Sequence, residues 1–174
     1  MSQVVSQRCI CKPTVQQVSG IKSLIDAGVK QGAMLPRALM ELYEGIRDFH
    51  VYVDEQGVGG CCALHVDMRE LAEVRSLVVR EDLRGSGIGA HLVEACLVEA
   101  RALGISRVYA LTRVNGFFQR LGFHEVDRRS LPTKVFNDCV RCHLFPECDE
   151  IAMVRDVNAG GADTVPAADE SDLG

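Results

Sequence analysis

The stretch from Glu73 to Leu103, EVRSLVVREDLRGSGIGAHLVEACLVEARAL, decides the architecture. It reads as a strand, a glycine-rich turn and a helix. Val74, Leu77, Val78 and Val79 are apolar and mostly β-branched, Arg84-Gly85-Ser86-Gly87-Ile88-Gly89 forms the turn, and Ile88, Leu92, Cys96, Ala100 and Leu103 recur at a helical period. The first amides of a helix have no partner within it and carry the positive end of its dipole, so they face whatever occupies the turn. Glycines let an anion's oxygens reach the backbone, and Arg84 adds a formal charge. Such a turn suits a pyrophosphate.

Gly85-Ser86-Gly87-Ile88-Gly89-Ala90 also satisfies the dinucleotide pattern G-x-G-x-x-G/A. Its context argues against that reading. A dinucleotide fold opens with this unit and carries an acidic residue about 20 positions on, whereas here hairpin-like strands precede it and the next strand ends in Leu111-Thr112-Arg113. Arg84-x-x-Gly87-x-Gly89 at the mouth of a helix instead resembles the acetyl-CoA pyrophosphate loop of the GNAT-type N-acetyltransferases, as does Asn115-Gly116-Phe117-Phe118-Gln119-Arg120-Leu121-Gly122-Phe123 downstream. The resemblance implies an α/β (mixed α+β) fold, a central mixed sheet flanked by helices. It also implies acetyl-CoA as cosubstrate, held by Leu77, Val78, Val79, Arg84, Gly85, Ser86, Gly87, Ile88, Gly89 and Asn115.

Length and charge set the outer bounds. The 174 residues, 47% of them hydrophobic, suffice for one cored domain, expected at 1–158. Residues 159–174 hold Asp163, Asp169, Glu170 and Asp172 with no base and read as a disordered acidic tail. Removing those four acids from the net charge of −5 leaves about −1, which points to neither nucleic acid nor an anionic membrane. No apolar run approaches the roughly 20 residues of a membrane span, and no signal-peptide core opens the chain. The expected location is the cytoplasm. A homodimer is compatible with this composition.

From the N-terminus the chain reads as a short strand at Arg8–Cys11, then a helix capped by Thr14 with Val18, Ile21, Leu24, Ile25 and Val29 inward and Gly32 at its end. A second helix is expected with Pro36 in its first turn and Leu39, Leu42, Tyr43 and Ile46 as its inner face. Phe49, Val51 and Val53 alternate with polar residues, Asp54-Glu55-Gln56-Gly57 turns the chain, and Val58 to Val66 returns as a hairpin onto which strand 72–80 pairs. Beyond the long helix come a buried strand, 107–112, parallel to 72–80, a short helix carrying Phe117, Phe118 and Leu121, a strand near 123–127, a helical segment near 133–140 and a last strand, 150–154.

Eight cysteines without a secretion signal argue for thiols or a metal rather than disulfides. Cys96 on the apolar helix face and Cys61-Cys62 in an apolar strand act as small hydrophobes. Cys139-x-x-Cys142 followed by Cys148 supplies three thiolates of a tetrahedral zinc site, with no evident fourth ligand. Reduced thiols are the competing reading.

Three stretches sharpen the resemblance: Gly32–Leu39, Glu73–Val79 and Leu131–Cys139. Together they are similar to the acetyltransferase domain of bacterial N-acetylglutamate synthases, over roughly residues 8–155. Longer members carry a preceding amino-acid-kinase-like domain, which this chain lacks, so it resembles the short form. The acceptor implied is L-glutamate, with Leu35, Arg37, Arg75, Ser76, Arg113 and Lys134 on the substrate side. Two carboxylates require cationic partners, preferably forked arginines. An α-ammonium must lose its proton before it attacks, and Glu73 is the candidate base, with Arg75 and Leu77 on its face if no bulge intervenes. An amide freed by splaying of strand 77–79 would polarise the acetyl carbonyl. Phe118 stands where many relatives place a tyrosine, so the alternatives are Tyr109 or water as the proton donor to the leaving thiolate, or departure of the thiolate with no acid at all. Alternatives are another acceptor amine, a protein N-terminus or an aminoglycoside, and a noncatalytic acyl-CoA or redox sensor.

Overall fold

In the computed structural model, which describes residues 9–132 and 148–157, the hairpin and the glycine-loop unit join one seven-stranded sheet of order β1-β2-β3-β4-β5-β7-β6. The strands are β1 (Cys9–Cys11), β2 (Phe49–Asp54), β3 (Gly57–Met68), β4 (Leu71–Val79), β5 (Arg107–Thr112), β6 (His124–Val126) and β7 (Ile151–Asp156). The α-helices are α1 (Val18–Lys30), α2 (Leu39–Glu44), α3 (Ile88–Ala102) and α4 (Asn115–Arg120). β4 and β5 run parallel, as the sequence predicts, and the other pairs are antiparallel. The parallel pair needs a crossover, and α3 provides it.

Period-two alternation divides the core between the faces of the sheet. Val51, Cys61 and Ala63 pack under Val18, Ile21, Leu24 and Ile25 of α1 and Leu42 of α2. Cys62, Leu64, Ala72, Val74, Val108 and Ala110 pack under Ile88, Leu92, Cys96, Leu97 and Ala100 of α3. Leu92 is fully buried, a contribution of about 1.5–3 kcal/mol from one side chain. Leu103, expected on this face, is the C-cap residue and 57% exposed, because the helix ends at Ala102.

Two expectations about the acceptor side are corrected. α2 starts at Leu39, and Pro36 precedes it outside the helix; Glu41 accepts from the Ala38 amide at 3.1 Å and so fixes the later start. Six residues cannot carry a full inner face, so Leu42 is buried while Leu39 and Tyr43 stay exposed. The second correction concerns β4. Cys61 pairs with Val78 but Ala63 pairs with Arg75, so β4 holds one extra residue, a bulge where Ser76 takes φ +55°. Leu77 therefore turns to the α3 side, away from Glu73 and Arg75.

Gly32 ends α1 as expected. It adopts φ +69°, and the Ala33 amide reaches back to the Gly28 carbonyl at 3.0 Å. No helix among the described residues is long and apolar enough to cross a membrane. The expected helix near 133–140 and the acidic tail lie outside the described residues.

Candidate active site

After β4 a 3-10 turn at Glu81–Leu83 leads into Arg84, and Gly85 and Gly87 then take φ +78° and +85°. These left-handed steps are open to glycine and turn the chain onto the end of α3. The His91 amide donates to the Gly87 carbonyl at 3.1 Å, so the amides of 88–90 point out of the helix end. A side chain at Gly85 would meet nothing within 4 Å, which leaves the backbone open to an anion. Ile88 offers only its amide, its side chain being in the core. Ser86 donates to the Leu83 carbonyl and braces the turn. Arg84 folds back: Nε donates to the Val79 carbonyl at 3.2 Å and Nη2 to Gln31 Oε1 at 2.8 Å, tying the loop to the end of α1. Phe117 of α4 lies 3.6 Å from where a Gly89 Cβ would stand. Asn115 opens α4, its Oδ1 accepting from the Gly116 amide.

The β4–β5 ladder pairs Leu71, Ala72 and Glu73 with Arg107, Val108 and Tyr109 and stops there. The Arg80 amide donates to Gly59 on β3, so alternation directs the peptide groups of Val79 and Leu77 towards the other, unladdered edge. Amides on such an edge can hold a thioester carbonyl. Val78 is buried against α1 and contributes to this edge only through its neighbours.

On the opposite side of β4 lies a cleft of about 430 Å³, whose walls include Arg37, Arg75 and Ser76 with His65, Asp48 and Glu41. It thus gathers three of the predicted substrate residues. Leu35 is 40% exposed and does not line it. Arg113 is engaged elsewhere, paired with Asp149 and donating to the Gly32 carbonyl at 3.0 Å, so it secures the turn after α1 rather than the cleft. Lys134 lies outside the described residues.

Glu73 stands beside Arg75, Oε2 to Nη1 3.7 Å, and opposite His65 in the β3–β4 ladder. Burial drives its carboxyl up to about 7; Arg75, Arg37 and His65 pull it down, and Asp67 pushes it further up. A carboxylate poised there accepts protons well near neutral pH. His65 Nδ1 meets Asp48 Oδ2 at 3.0 Å, an acid–imidazole pair facing the cleft that the sequence reading missed. Its signal, alternation with Ala63 along β3, is legible only once the register is known. Tyr109 is buried and donates to Asp67 Oδ2 at 2.8 Å. Burial, with Glu73 and Asp67 nearby, pushes its phenol well above the usual range. Tyr109, one of the alternatives for the proton donor, is thus committed to a carboxylate. Phe118 is 4% exposed and packs edge-to-face on Phe117 and Phe123.

Of the expected zinc ligands, Cys139 and Cys142 lie outside the described residues. Cys148 is half-buried, with Arg128 Nη2 and Glu150 Oε2 each 3.6 Å from its sulfur. Among the described residues no group of three or more His, Cys, Asp or Glu is placed to hold a metal ion.

The acetyltransferase (GNAT) domain family matches residues 45–125. An uncharacterized N-acetyltransferase of Chlorobaculum tepidum is 37% identical over 147 residues, 84% of this chain and 95% of that protein. The amino-acid acetyltransferase of Mycobacterium tuberculosis is 36% identical over 141 residues, 76% of this chain and 80% of its relative. The crystal structure of N-acetylglutamate synthase from Neisseria gonorrhoeae, complexed with coenzyme A and N-acetyl-glutamate, has a TM-score of 0.79 at 24% identity, over 87% of this chain and 35% of that one. At that identity the likeness speaks for the fold.

Proposed function

The chain belongs to the GNAT N-acetyltransferases, and on that premise we propose that it transfers acetyl from acetyl-CoA to the α-amine of L-glutamate. One observation carries the reading: the cleft that holds Arg37 and Arg75 lies on the face of β4 that also presents Glu73. A five-carbon diacid needs a cation near each end, and two guanidiniums lie along the cleft. The amino-acid acetyltransferase name of the Mycobacterium tuberculosis relative supports the same acceptor class.

In this reading the pyrophosphate of acetyl-CoA rests on the amides of 88–90 and the Gly85–Gly87 backbone, and the thioester lies against the open edge of β4. Glu73, directly or through one water, takes the proton of the ammonium. The freed nitrogen attacks the acetyl carbon, and the oxygen's growing charge falls on the outward amides of Leu77 or Val79. The C–S bond breaks as CoA thiolate leaves, and the nitrogen's second proton passes through water to that thiolate, giving the amide and the free CoA thiol. Tyr109 donates to Asp67, a second carboxylate whose charge helps to push the Glu73 carboxyl up.

Glu41, Glu44 and Asp48 share the cleft wall and favour a second reading, an acceptor with several ammonium groups such as an aminoglycoside. Thiol release from acetyl-CoA, followed with each amino acid, an aminoglycoside and a peptide N-terminus, separates the two. Turnover confined to the amino acids supports the first; turnover with the polycation and none with L-glutamate overturns it.

A further inference from the structure

His50 on β2 and Cys62 on β3 are direct partners in the antiparallel ladder, so their side chains leave the sheet on one face, roughly 5 Å apart at Cβ. α3 covers that face and presents Cys96 to both. The Cys96 sulfur lies 3.6 Å from His50 Nδ1, and the other ring nitrogen, Nε2, lies 3.6 Å from Glu99 Oε2. Glu99 is held in turn by Lys12 Nζ at 2.7 Å. A polar seam thus runs from exposed Lys12 through Glu99 and His50 to two cysteines that are fully buried.

Packing alone does not account for this. A buried thiol normally resists ionisation, as Cys61 on the other face does, its pKa pushed by burial to about 12. Cys96 moves the opposite way, to about 6, because the neighbouring Cys62 thiol and the His50 ring nitrogen 3.6 Å away favour its thiolate and together outweigh burial. Cys62, the proton-bearing member, moves up. One thiol is therefore prepared as a nucleophile with the other beside it, away from the β4 cleft.

We propose that Cys96 and Cys62 form a peroxide-oxidisable dithiol, a modification site in which Cys96 attacks and Cys62 resolves. The Cys96 thiolate attacks one oxygen of a hydroperoxide, the O–O bond breaks, and the leaving oxygen takes a proton through His50; two electrons pass from sulfur to peroxide, leaving a sulfenic acid. Cys62 then attacks that sulfur as its proton passes to the departing hydroxide, the S–O bond breaks and the S–S bond forms. In sum, two thiols and one hydrogen peroxide give one disulfide and two waters. The Lys12–Glu99–His50 seam is the polar route for a molecule little larger than water. The bridge would fasten β3 to α3, the helix whose first turn carries the glycine loop.

The test is peptide mapping of the full chain after exposure to a few equivalents of hydrogen peroxide and alkylation of the remaining thiols. The expected product is a dithiothreitol-reversible cross-link between the Cys62 and Cys96 peptides, retained in Cys61→Ala so that its neighbour is not the partner. Cys62→Ala should leave a dimedone-reactive sulfenic acid at Cys96, and His50→Asn should slow oxidation at least tenfold. The proposal is overturned if other cysteines oxidise while Cys62 and Cys96 are recovered as thiols, or if the bridge forms equally fast without His50. Should a variant fail to fold, the map of the unsubstituted protein decides alone.

Discussion

The carboxylate of Glu73 lies 3.7 Å from the guanidinium of Arg75 on one face of β4, yet burial outweighs that attraction and holds its pKa at about 7. A group ionised only above neutrality is costly to bury and useful as a base, and the two consequences can be measured separately.

Glu73→Gln should lower kcat by about 10²- to 10⁴-fold and remove the rise in activity through pH 7 that is expected of the unsubstituted protein as its base ionises. Stability should move the other way. The folded pKa lies above the ordinary 4.5, so the favourable contribution of the neutral acid is complete below about pH 4.5 and lost as pH rises through about 7. Relative to the wild type the glutamine variant therefore gains stability across that window, by at most about 3 kcal/mol. Paired thermal melts at pH 4.5 and 8 check the sign; a constant difference would show that Glu73 is not buried at a cost.

Gly87 caps α3 in the left-handed region, where Asn and Asp are the best-tolerated side chains after glycine. Gly87→Asn and Gly87→Asp thus share their strain and differ in charge. The aspartate should raise the KM for acetyl-CoA at least tenfold over the asparagine, since it sets a negative charge at the helix end meant for pyrophosphate. Equal values for the two variants would move the cosubstrate elsewhere.

The contrast between Gly87 and Ser76 shows what the sequence makes legible. Glycines, a helical period and a β-branched strand are local signals, and each survives in the fold from β4 through α3. The bulge at Ser76 is a property of two strands, visible only when Cys61 and Ala63 are set against Val78 and Arg75. The pairing of His65 with Asp48 likewise joins β3 to the turn before β2. α2 misled for a different reason: Leu39 and Tyr43 have the right spacing for an inner face, but the helix is too short to bury them. Arg113 had the right charge and the wrong neighbours.

Arg37 and Arg75 should separate acceptor binding from cosubstrate binding. Arg37→Ala is expected to raise the KM for L-glutamate about ten- to a hundredfold with acetyl-CoA binding unchanged, because it removes one cation from the cleft wall. Arg75→Ala should do the same and also raise the kinetic pKa above 7, since the charge that favours ionised Glu73 is gone. Steady-state kinetics in both substrates across pH 6–9 distinguish these effects; an unmoved acceptor KM in both variants would remove the arginines from the site.

Tyr109→Phe tests the buried hydroxyl. Deleting it leaves Asp67 without its 2.8 Å donor and should cost about 1–3 kcal/mol of stability. Because the phenol is committed to Asp67, turnover above pH 8 should fall less than threefold. A loss of 10²-fold or more there would make Tyr109 the proton donor to the leaving thiolate.

The most direct measurement is the ratio of kcat/KM for L-glutamate over L-glutamine, read as CoA thiol release. Glutamine keeps the size of glutamate and loses the distal charge, so a cleft that pairs both carboxylates should favour glutamate by about ten- to a hundredfold. A ratio near or below one would contradict the two-cation cleft, and no release with either amino acid would contradict the proposed acceptor altogether.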